Sequence, residues 1–382
     1  METYIAKTFL GLENILAEEL STLGAQNLEI LNRAVKFQGD KTLLYKSNIY
    51  LRTALKILVP LKTFTARDEN MLYSGVYGFP WEEFFTYNQT FVIDSVANSS
   101  FFRHSHYAAL KVKDAIVDRF RNKYPKRPSI DKTDPDFRIN IHISNDQCTL
   151  SLDSSGSSLH KRGYKVENVM APLNEVLAAG LISLSGWKGE TAFIDPMCGS
   201  GTLPIEAALL SYNIPPGIFR DKFGFEKWHD FDPALLNAIR KKAAQITTSK
   251  TQIYGCDIDE QAIDIARKNS DKPGLKDKIE FFVQSFFNYT PPPGHQGTVI
   301  INPPYDHKVK EKDICAFYEH MGNVLKKNYA GYEVWIISHH KKALKNIGLH
   351  ASNKITLFNG PLECKFQKYS MYKGRKSGIT KP

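Results

Sequence analysis

The sequence predicts an α/β chain in which an α+β N-terminal half precedes a doubly wound, mostly parallel sheet. Three observations predict it. From residue 191 onward, strand-length apolar runs alternate with helix-length amphipathic runs, the order that gives a parallel sheet with helices on both faces. The first 65 residues instead run strand, helix, strand, strand, helix, strand, the split βαβ order of a ferredoxin-like domain. Between these parts the run Ser154-Ser-Gly-Ser-Ser158 reads as the start of a linker. The expected domains are 1–65, 66–160 and 161–382.

In chain order, Thr3–Thr8 reads as a strand. Leu12–Leu23 places apolar residues at 12, 15, 16, 20 and 23, one face of a helix. Leu28–Leu31 and Ala34–Phe37 form strands around the turn Asn32-Arg33. A helix over Lys41–Leu51 and a strand over Ala54–Val59 complete the first domain. In the second, Phe91–Ala97 is a strand and His106–Phe120 an amphipathic helix. Phe137–Ser144 and Thr149–Leu152 are strands joined by the turn dipeptide Asn145-Asp146.

After the linker of residues 154–170, Pro172 opens a helix that Gly186 stops. Strand Thr191–Ile194 leads to helix Leu203–Tyr212. An insertion rich in proline, glycine and aromatics follows, Asn213–Asp232. The rest reads as helix Pro233–Ile246, strand Gln252–Cys256, helix Glu260–Ser270, and strands Ile279–Val283 and Thr298–Ile301. Helix Ile314–Lys326, strand Glu333–Ser338 and two closing strands, Lys354–Phe358 and Lys365–Tyr372, end the order.

The bulk numbers exclude several classes. With 382 residues, two or three domains are expected. No run of eighteen apolar residues is present, and Met1–Lys7 lacks the basic start and apolar stretch of a signal peptide. Five dispersed cysteines without a C-x-x-C pair argue against zinc and disulfides and fit a reducing cytoplasm. His104, His106, His339 and His340 lack further ligands at metal spacing, so no metal is expected. The net charge of +10 leaves a polyanionic partner open. The basic run with interleaved aromatics from Arg119 through Arg121, Lys123 and Lys126 to Arg127 suits a phosphate backbone, or equally a solvated helix end.

The chemistry concentrates in three strand ends. Asp195-Pro-Met-Cys-Gly-Ser-Gly-Thr202 joins a strand to a helix through a glycine-rich turn, the default ligand site of such a sheet. Pro204 stands where a dinucleotide fingerprint needs a small residue, and no lysine follows as a P-loop requires. An acid beside a helix start suits a ligand carrying both an amino group and a carboxylate, and S-adenosylmethionine carries both. Asp257 ends the second strand and can accept from ribose hydroxyls, while Asp259 is better placed to cap the next helix. Asn302-Pro-Pro-Tyr305 ends a third strand. The Asn302 side chain and the Pro303 carbonyl can accept both hydrogens of a planar amine, the two prolines fix the backbone, and Tyr305 can stack on a base. Cys198 reads as a small side chain under the turn.

These motifs together resemble the class I S-adenosylmethionine-dependent methyltransferases that modify exocyclic amines. With Leu159-His-Lys-Arg-Gly-Tyr164 and Ala171-Pro-Leu-Asn-Glu175, the chain is similar to the THUMP-domain RNA guanine-N2-methyltransferases, most of all the bacterial enzymes acting on 23S ribosomal RNA. The resemblance implies a ferredoxin-like plus THUMP RNA-binding half and a Rossmann-like seven-stranded catalytic domain. It implies a cofactor set of Asp195, Pro196, Cys198, Gly199, Gly201, Thr202, Asp257, Ile258, Ser285 and Phe286. The catalytic set is Asn302, Pro303, Pro304 and Tyr305. RNA contacts are expected at Arg119, Arg121, Lys123, Lys126, Arg127, Lys161 and Arg162. Members often carry an acid after the third strand, where Phe282-Val-Gln-Ser285 stands here, and a glycine after the tyrosine, where Asp306-His307 stands. Some have a second methyltransferase unit, which is not expected here. The implied reaction is methylation of a guanine N2 in RNA, expected to be 23S rRNA. Its rivals are adenine N6 methylation in RNA or DNA, guanine methylation in tRNA, and a non-catalytic RNA-binding assembly protein. A nicotinamide oxidoreductase is disfavoured by Pro204.

Overall fold

The computed structural model describes residues 1–102, 104–167, 173–245, 247–292, 296–304 and 311–372. The chain divides into two units: Met1–Thr8, Leu16–Leu159 and Arg220–Lys242 form the first, and Phe9–Ile15, His160–Phe219 and Ala243–Pro382 the second.

The first unit begins as the pattern predicts: β1 (Glu2–Lys7), α1 (Glu13–Thr22), β2 (Gln26–Leu31), β3 (Ala34–Gly39), α2 (Lys41–Tyr50) and β4 (Lys56–Thr65). Leu16 and Leu20 are the buried face of α1, and Asp40 caps α2 by accepting from the Leu43 N–H at 2.8 Å. Next come α3 (Glu69–Tyr77), β5 (Thr90–Asn98), α4 (Ser105–Lys123), β6 (Ser129–Ile130), β7 (Phe137–Ser144) and β8 (Gln147–Asp153). α3 was not among the elements expected from the sequence, and Gly75 stands inside it. The glycine is there because the Phe64 ring occupies the space a Cβ would need.

All eight strands share one sheet, in the order β2-β3-β1-β4-β8-β7-β5-β6. β4 runs six residues past its expected end and pairs with β1 on one side and β8 on the other. Pro60 is tolerated inside it because the register with β8 shifts between Pro60 and Lys62.

The second unit contains α5 (Glu175–Leu184), β9 (Ala192–Asp195) and α6 (Thr202–Ser211). The expected helix start at Ala171-Pro172 lies outside the described residues; Asn174 caps α5, accepting from the Val176 N–H at 3.0 Å. After the insertion and α7 (Pro233–Ala243) come β10 (Ile253–Asp257), α8 (Glu260–Asp271), β11 (Glu280–Val283) and β12 (Gly297–Ile301). The chain continues through α9 (Glu311–Asn328), β13 (Tyr332–Ser338), the unexpected short α10 (Lys341–Asn346), β14 (Asn353–Asn359) and β15 (Leu362–Ser370). The sheet order is β11-β10-β9-β12-β13-β15-β14, with β15 antiparallel to both neighbours and the other pairs parallel. The strand order reverses between the parallel neighbours β9 and β12 at the centre of the sheet, where doubly wound folds bind ligands. Among the described residues no helix is long and apolar enough to cross a membrane, and no three His, Cys, Asp or Glu side chains cluster as metal ligands would.

The Ser154–Ser158 run is not a loose linker. Ser154 and Ser155 are fully buried, and their hydroxyls bond to Asn48 and to the Ile57 backbone. The buried Arg220 donates to the carbonyls of Ser155, Ser157 and Ser158 at 2.9–3.1 Å. The insertion that carries it also stacks Phe225 on Tyr45, ring centroids 4.1 Å apart. Polar, glycine-containing composition suggested a linker, but donors from the insertion and from α2 order the run.

Candidate functional site

Each predicted strand end of the second sheet reaches the same edge. β9 and β10 pair in parallel through Gly255↔Asp195, β10 and β11 through Asp257↔Val283, and β9 and β12 through Ile194↔Val299. The register therefore brings Asp195, Asp257 and the residues after Val283 and Ile301 to neighbouring tips.

The glycine turn is tightly built. Gly199 and Gly201 have φ of +51° and +80°, a left-handed backbone that glycine adopts without strain. A Cβ on Gly201 would lie 2.9 Å from Ala266 Cβ on α8 and 3.1 Å from the Phe281 ring. The Cys198 N–H donates to the Cys256 carbonyl at 2.9 Å, which fastens the turn to β10. Cys198 itself is buried and packs under the turn; burial first, then Asp195 and Asp257, push its thiol pKa well up, so it is no ready nucleophile. α6 opens at Thr202, and first-turn N–H groups have no partner within a helix.

Asp195 is 2 % exposed and accepts from the Met197 N–H at 3.2 Å. Among the described residues no lysine or arginine pairs with it. Burial raises its pKa well above the carboxylate range, the Met197 N–H opposes this, and Asp257 adds to it. Asp257 accepts from the Gly199 N–H at 2.9 Å and the Asp259 N–H at 3.1 Å, so it braces the turn and keeps further lone pairs. Asp259 caps α8 through the Gln261 N–H, as the spacing indicated. Ile258, between the two acids, is 73 % exposed, an apolar surface at the strand tip.

Other expected positions differ in kind. Ser285 accepts from the Phe287 N–H at 3.4 Å, capping the short turn Phe286–Asn288. The Phe286 side chain is buried in the core against Tyr329, centroids 5.9 Å apart, which leaves its backbone as the part that could meet a cofactor. Pro196 and Pro303 are buried, and Pro304 is exposed. The Asn302 Oδ1 atom is buried and has no hydrogen-bond partner among the described residues. An unpaired buried acceptor costs about 1–3 kcal/mol, so a donor brought to this atom would be stabilising. Tyr305, Asp306 and His307 lie outside the described residues, as does the basic tail from residue 373.

The expected RNA contacts divide sharply. Arg162 is a correction: only 2 % exposed, it donates to the buried Glu206 at 3.3 Å, and Tyr164 donates to the same carboxylate oxygen at 3.1 Å. Its charge holds the 160–164 segment to α6. Arg119 is also committed internally, with two 2.7 Å bonds to Glu82 and one to the Tyr77 carbonyl, and Lys123 joins Glu82 at 2.6 Å. Those bonds, Arg119's first, hold Glu82 at a pKa of about 2. Arg121 and Arg127 line an open groove of about 440 Å³ with Lys113, Ser129 and Asp114. Lys126 and Lys161 are exposed. The sequence reading missed Lys113, which lies within one helix face of Arg121, and missed Glu206 and Asn269. A lone Glu inside the apolar Thr202–Leu209 run was the available signal for Glu206.

Residues 162–368 match the family described as RMKL-like, methyltransferase domain. Residues 66–153 match the THUMP domain and 3–58 the RlmL ferredoxin-like domain. A Synechocystis sp. protein, slr0064, described as a candidate RNA methyltransferase, is 39 % identical over 97 % of both chains. The ribosomal RNA large subunit methyltransferase K/L of Psychromonas ingrahamii is 38 % identical over all of this chain, which spans about half (52 %) of that protein's length. The solved structure of SMU.472, described as a candidate methyltransferase complexed with SAH, superposes with a TM-score of 0.86 at 31 % identity, covering 98 % of this chain and 99 % of that one. The chain belongs to the RMKL-like methyltransferase family.

Proposed function

We propose that this member of the family transfers a methyl group from S-adenosylmethionine to the exocyclic N2 amine of a guanine in RNA, with 23S ribosomal RNA as the substrate. The observation that carries the reading is the buried Asn302 Oδ1 at the tip of β12, without a partner among the described residues, beside a buried proline whose carbonyl has no N–H of its own to compete with. Support for RNA comes from the THUMP match and the names of the Synechocystis and Psychromonas relatives. Support for the cofactor comes from the SAH-bound neighbour and from the fit of the turn.

That fit rests on three features of this chain. The Asp195 carboxylate is buried without a cation and suits the amino group of a methionine end. Gly199, Gly201 and Thr202 suit its carboxylate, because side chains are absent where the backbone must come close and helix N–H groups are available. Asp257 keeps lone pairs for ribose hydroxyls, Ile258 offers a flat apolar face to an adenine, and Ser285 stands beside them. When bound, S-adenosylmethionine supplies a methyl group on a positively charged sulfur.

The remaining work belongs to the protein. An exocyclic amine is a poor nucleophile because its lone pair is delocalised into the ring. Asn302 Oδ1 and the Pro303 carbonyl each accept one N–H, which draws the nitrogen out of conjugation and fixes its direction. No strong base is required before transfer, since the nitrogen becomes acidic once methylated and loses its proton to solvent. Pro304 stiffens the exit from the strand, and Tyr305 is assigned the base-stacking role. Arg121, Lys126, Arg127 and Lys161, with Lys113, are assigned to the RNA backbone, and the enzyme to the cytoplasm.

Incubating ribosomal RNA from a strain lacking the gene with methyl-labelled cofactor, then digesting it to nucleosides, tests the reading. Label in N2-methylguanosine is expected. Label in N6-methyladenosine would replace the target base, and cofactor binding without any transfer would remove the enzyme reading.

A further inference from the structure

The turn is held from behind by a side chain that neither strand ends nor motifs reveal. Asn269 lies on α8, fully buried, one turn after Ala266, the residue that leaves no room for a Cβ on Gly201. Its amide makes four hydrogen bonds. Oδ1 accepts from the N–H groups of Val166 and Glu167 at 2.8 and 3.3 Å. Nδ2 donates to the Glu167 carbonyl at 3.1 Å and to the Ser200 carbonyl at 3.2 Å. Ser200 is the residue between the two glycines of the turn. One side chain thus joins the turn to the segment that precedes α5.

The same segment is fixed a second time. Tyr164 and Arg162 both donate to Glu206, one helical turn below Thr202 on α6. Residues 162–167 therefore form a strap, bonded to α6 at one end and, through Asn269, to the turn at the other. Asn is a poor helix former, and a fully buried amide is costly unless every polar atom finds a partner. Its presence in α8 is explained by the two backbone stretches it serves at once.

We propose that Asn269 is a positioning residue for the cofactor: by tying the Ser200 carbonyl to the 162–167 strap, it fixes the turn in the shape that binds S-adenosylmethionine. It acts through the turn and touches no reacting atom. The proposal rests on the placement of the cofactor at the glycine turn given above. Its signature is a change in cofactor affinity with little change in the rate at saturation, because Asn302 and Pro303 belong to a different strand.

The experiment measures cofactor dissociation by calorimetry and kcat at saturating cofactor in the full chain, for Asn269→Ala, Tyr164→Phe and Asp195→Asn. Asn269→Ala is expected to weaken cofactor binding roughly tenfold, with kcat within about twofold of the parent. Tyr164→Phe keeps the ring, removes one bond of the strap, and is expected to weaken it about two- to threefold. Cofactor affinity within about twofold of the parent for Asn269→Ala overturns the positioning role. So does a fall in kcat matching the fall in affinity, which marks general structural damage. If Asn269→Ala does not fold, Tyr164→Phe decides: unchanged affinity there overturns the proposal. Asp195→Asn separates the two readings, since normal affinity in that variant means the cofactor lies elsewhere and the earlier assignment is at fault.

Discussion

Two carboxylates in different units show what charge does in this protein. Glu82 in the first unit receives Arg119 and Lys123, and its pKa falls to about 2. Asp195 in the second is buried among apolar strands with one backbone donor, and its pKa rises. The first is a finished interaction that holds α4 against the turn after α3. The second is unfinished, with desolvation incurred and no cation to offset it. A completed ion pair holds elements together, whereas a buried acceptor at a strand tip with no cation is where the proposed function puts a ligand's donor. Asn302 belongs with Asp195 on this criterion, and Arg162 with Glu82.

The largest effect that would break this contrast is at Asn302. Asn302→Ala should lower kcat by about 10²–10³-fold, the scale for losing one positioned polar group at a reacting centre. Cofactor binding by calorimetry should be unaltered, and near-normal turnover would place Asn302 among ordinary strand ends. Next is the turn. Gly201→Ala puts a side chain at φ +80° and against Ala266, a strain of about 1–3 kcal/mol. Cofactor affinity should drop roughly tenfold or more, and an unchanged dissociation constant would show that the turn does not face the ligand.

A pH series sharpens the comparison further. The Asp195 pKa is raised in the fold, so its contribution to stability is full below the unfolded value and is lost as pH rises through the raised one. A bound ammonium group reverses that loss. The thermal shift produced by cofactor should therefore grow as pH rises, and Asp195→Asn should flatten it. Glu82 has the opposite sign. Its contribution is present above the ordinary carboxylate pKa and disappears as pH falls towards about 2.

The smallest effects separate arginines that look alike in sequence. Arg119→Ala should cost about 1–2 kcal/mol of stability, read by thermal denaturation, because it strips Glu82 of its main partner. Arg121→Ala and Arg127→Ala should leave stability within about 0.5 kcal/mol and reduce the salt dependence of RNA binding by about one ion each. Equal behaviour of all three would mean that internal pairing does not distinguish them.

How far the sequence carries follows from range. The placement of Asp195, the two glycines, Asp257 and the Asn302-Pro303 pair at strand ends and a turn was legible because a strand end, a turn and a helix start are local and share one grammar. Asp259 as a cap was legible for the same reason. Arg162 was not, because its partner Glu206 comes 44 residues later and a basic residue near a linker looks like surface. The Ser154–Ser158 run was misread because Arg220, which orders it, lies more than 60 residues on. The burial of the Phe286 ring was not legible because proximity to a motif says nothing about which side of the backbone a ring takes. The N-terminal half was legible as a set of elements and illegible as one sheet, since β4 finds β8 only across more than 80 intervening residues.

That shared strand has a practical consequence for anyone dissecting the molecule. A fragment starting at residue 66 would strip β8 of its neighbour and leave seven residues of raw backbone edge, Gln147–Asp153, ready to recruit any extended chain. Such a truncation should precipitate or dimerise. A cut that retains β4, or one that removes the whole eight-stranded layer, avoids opening that seam.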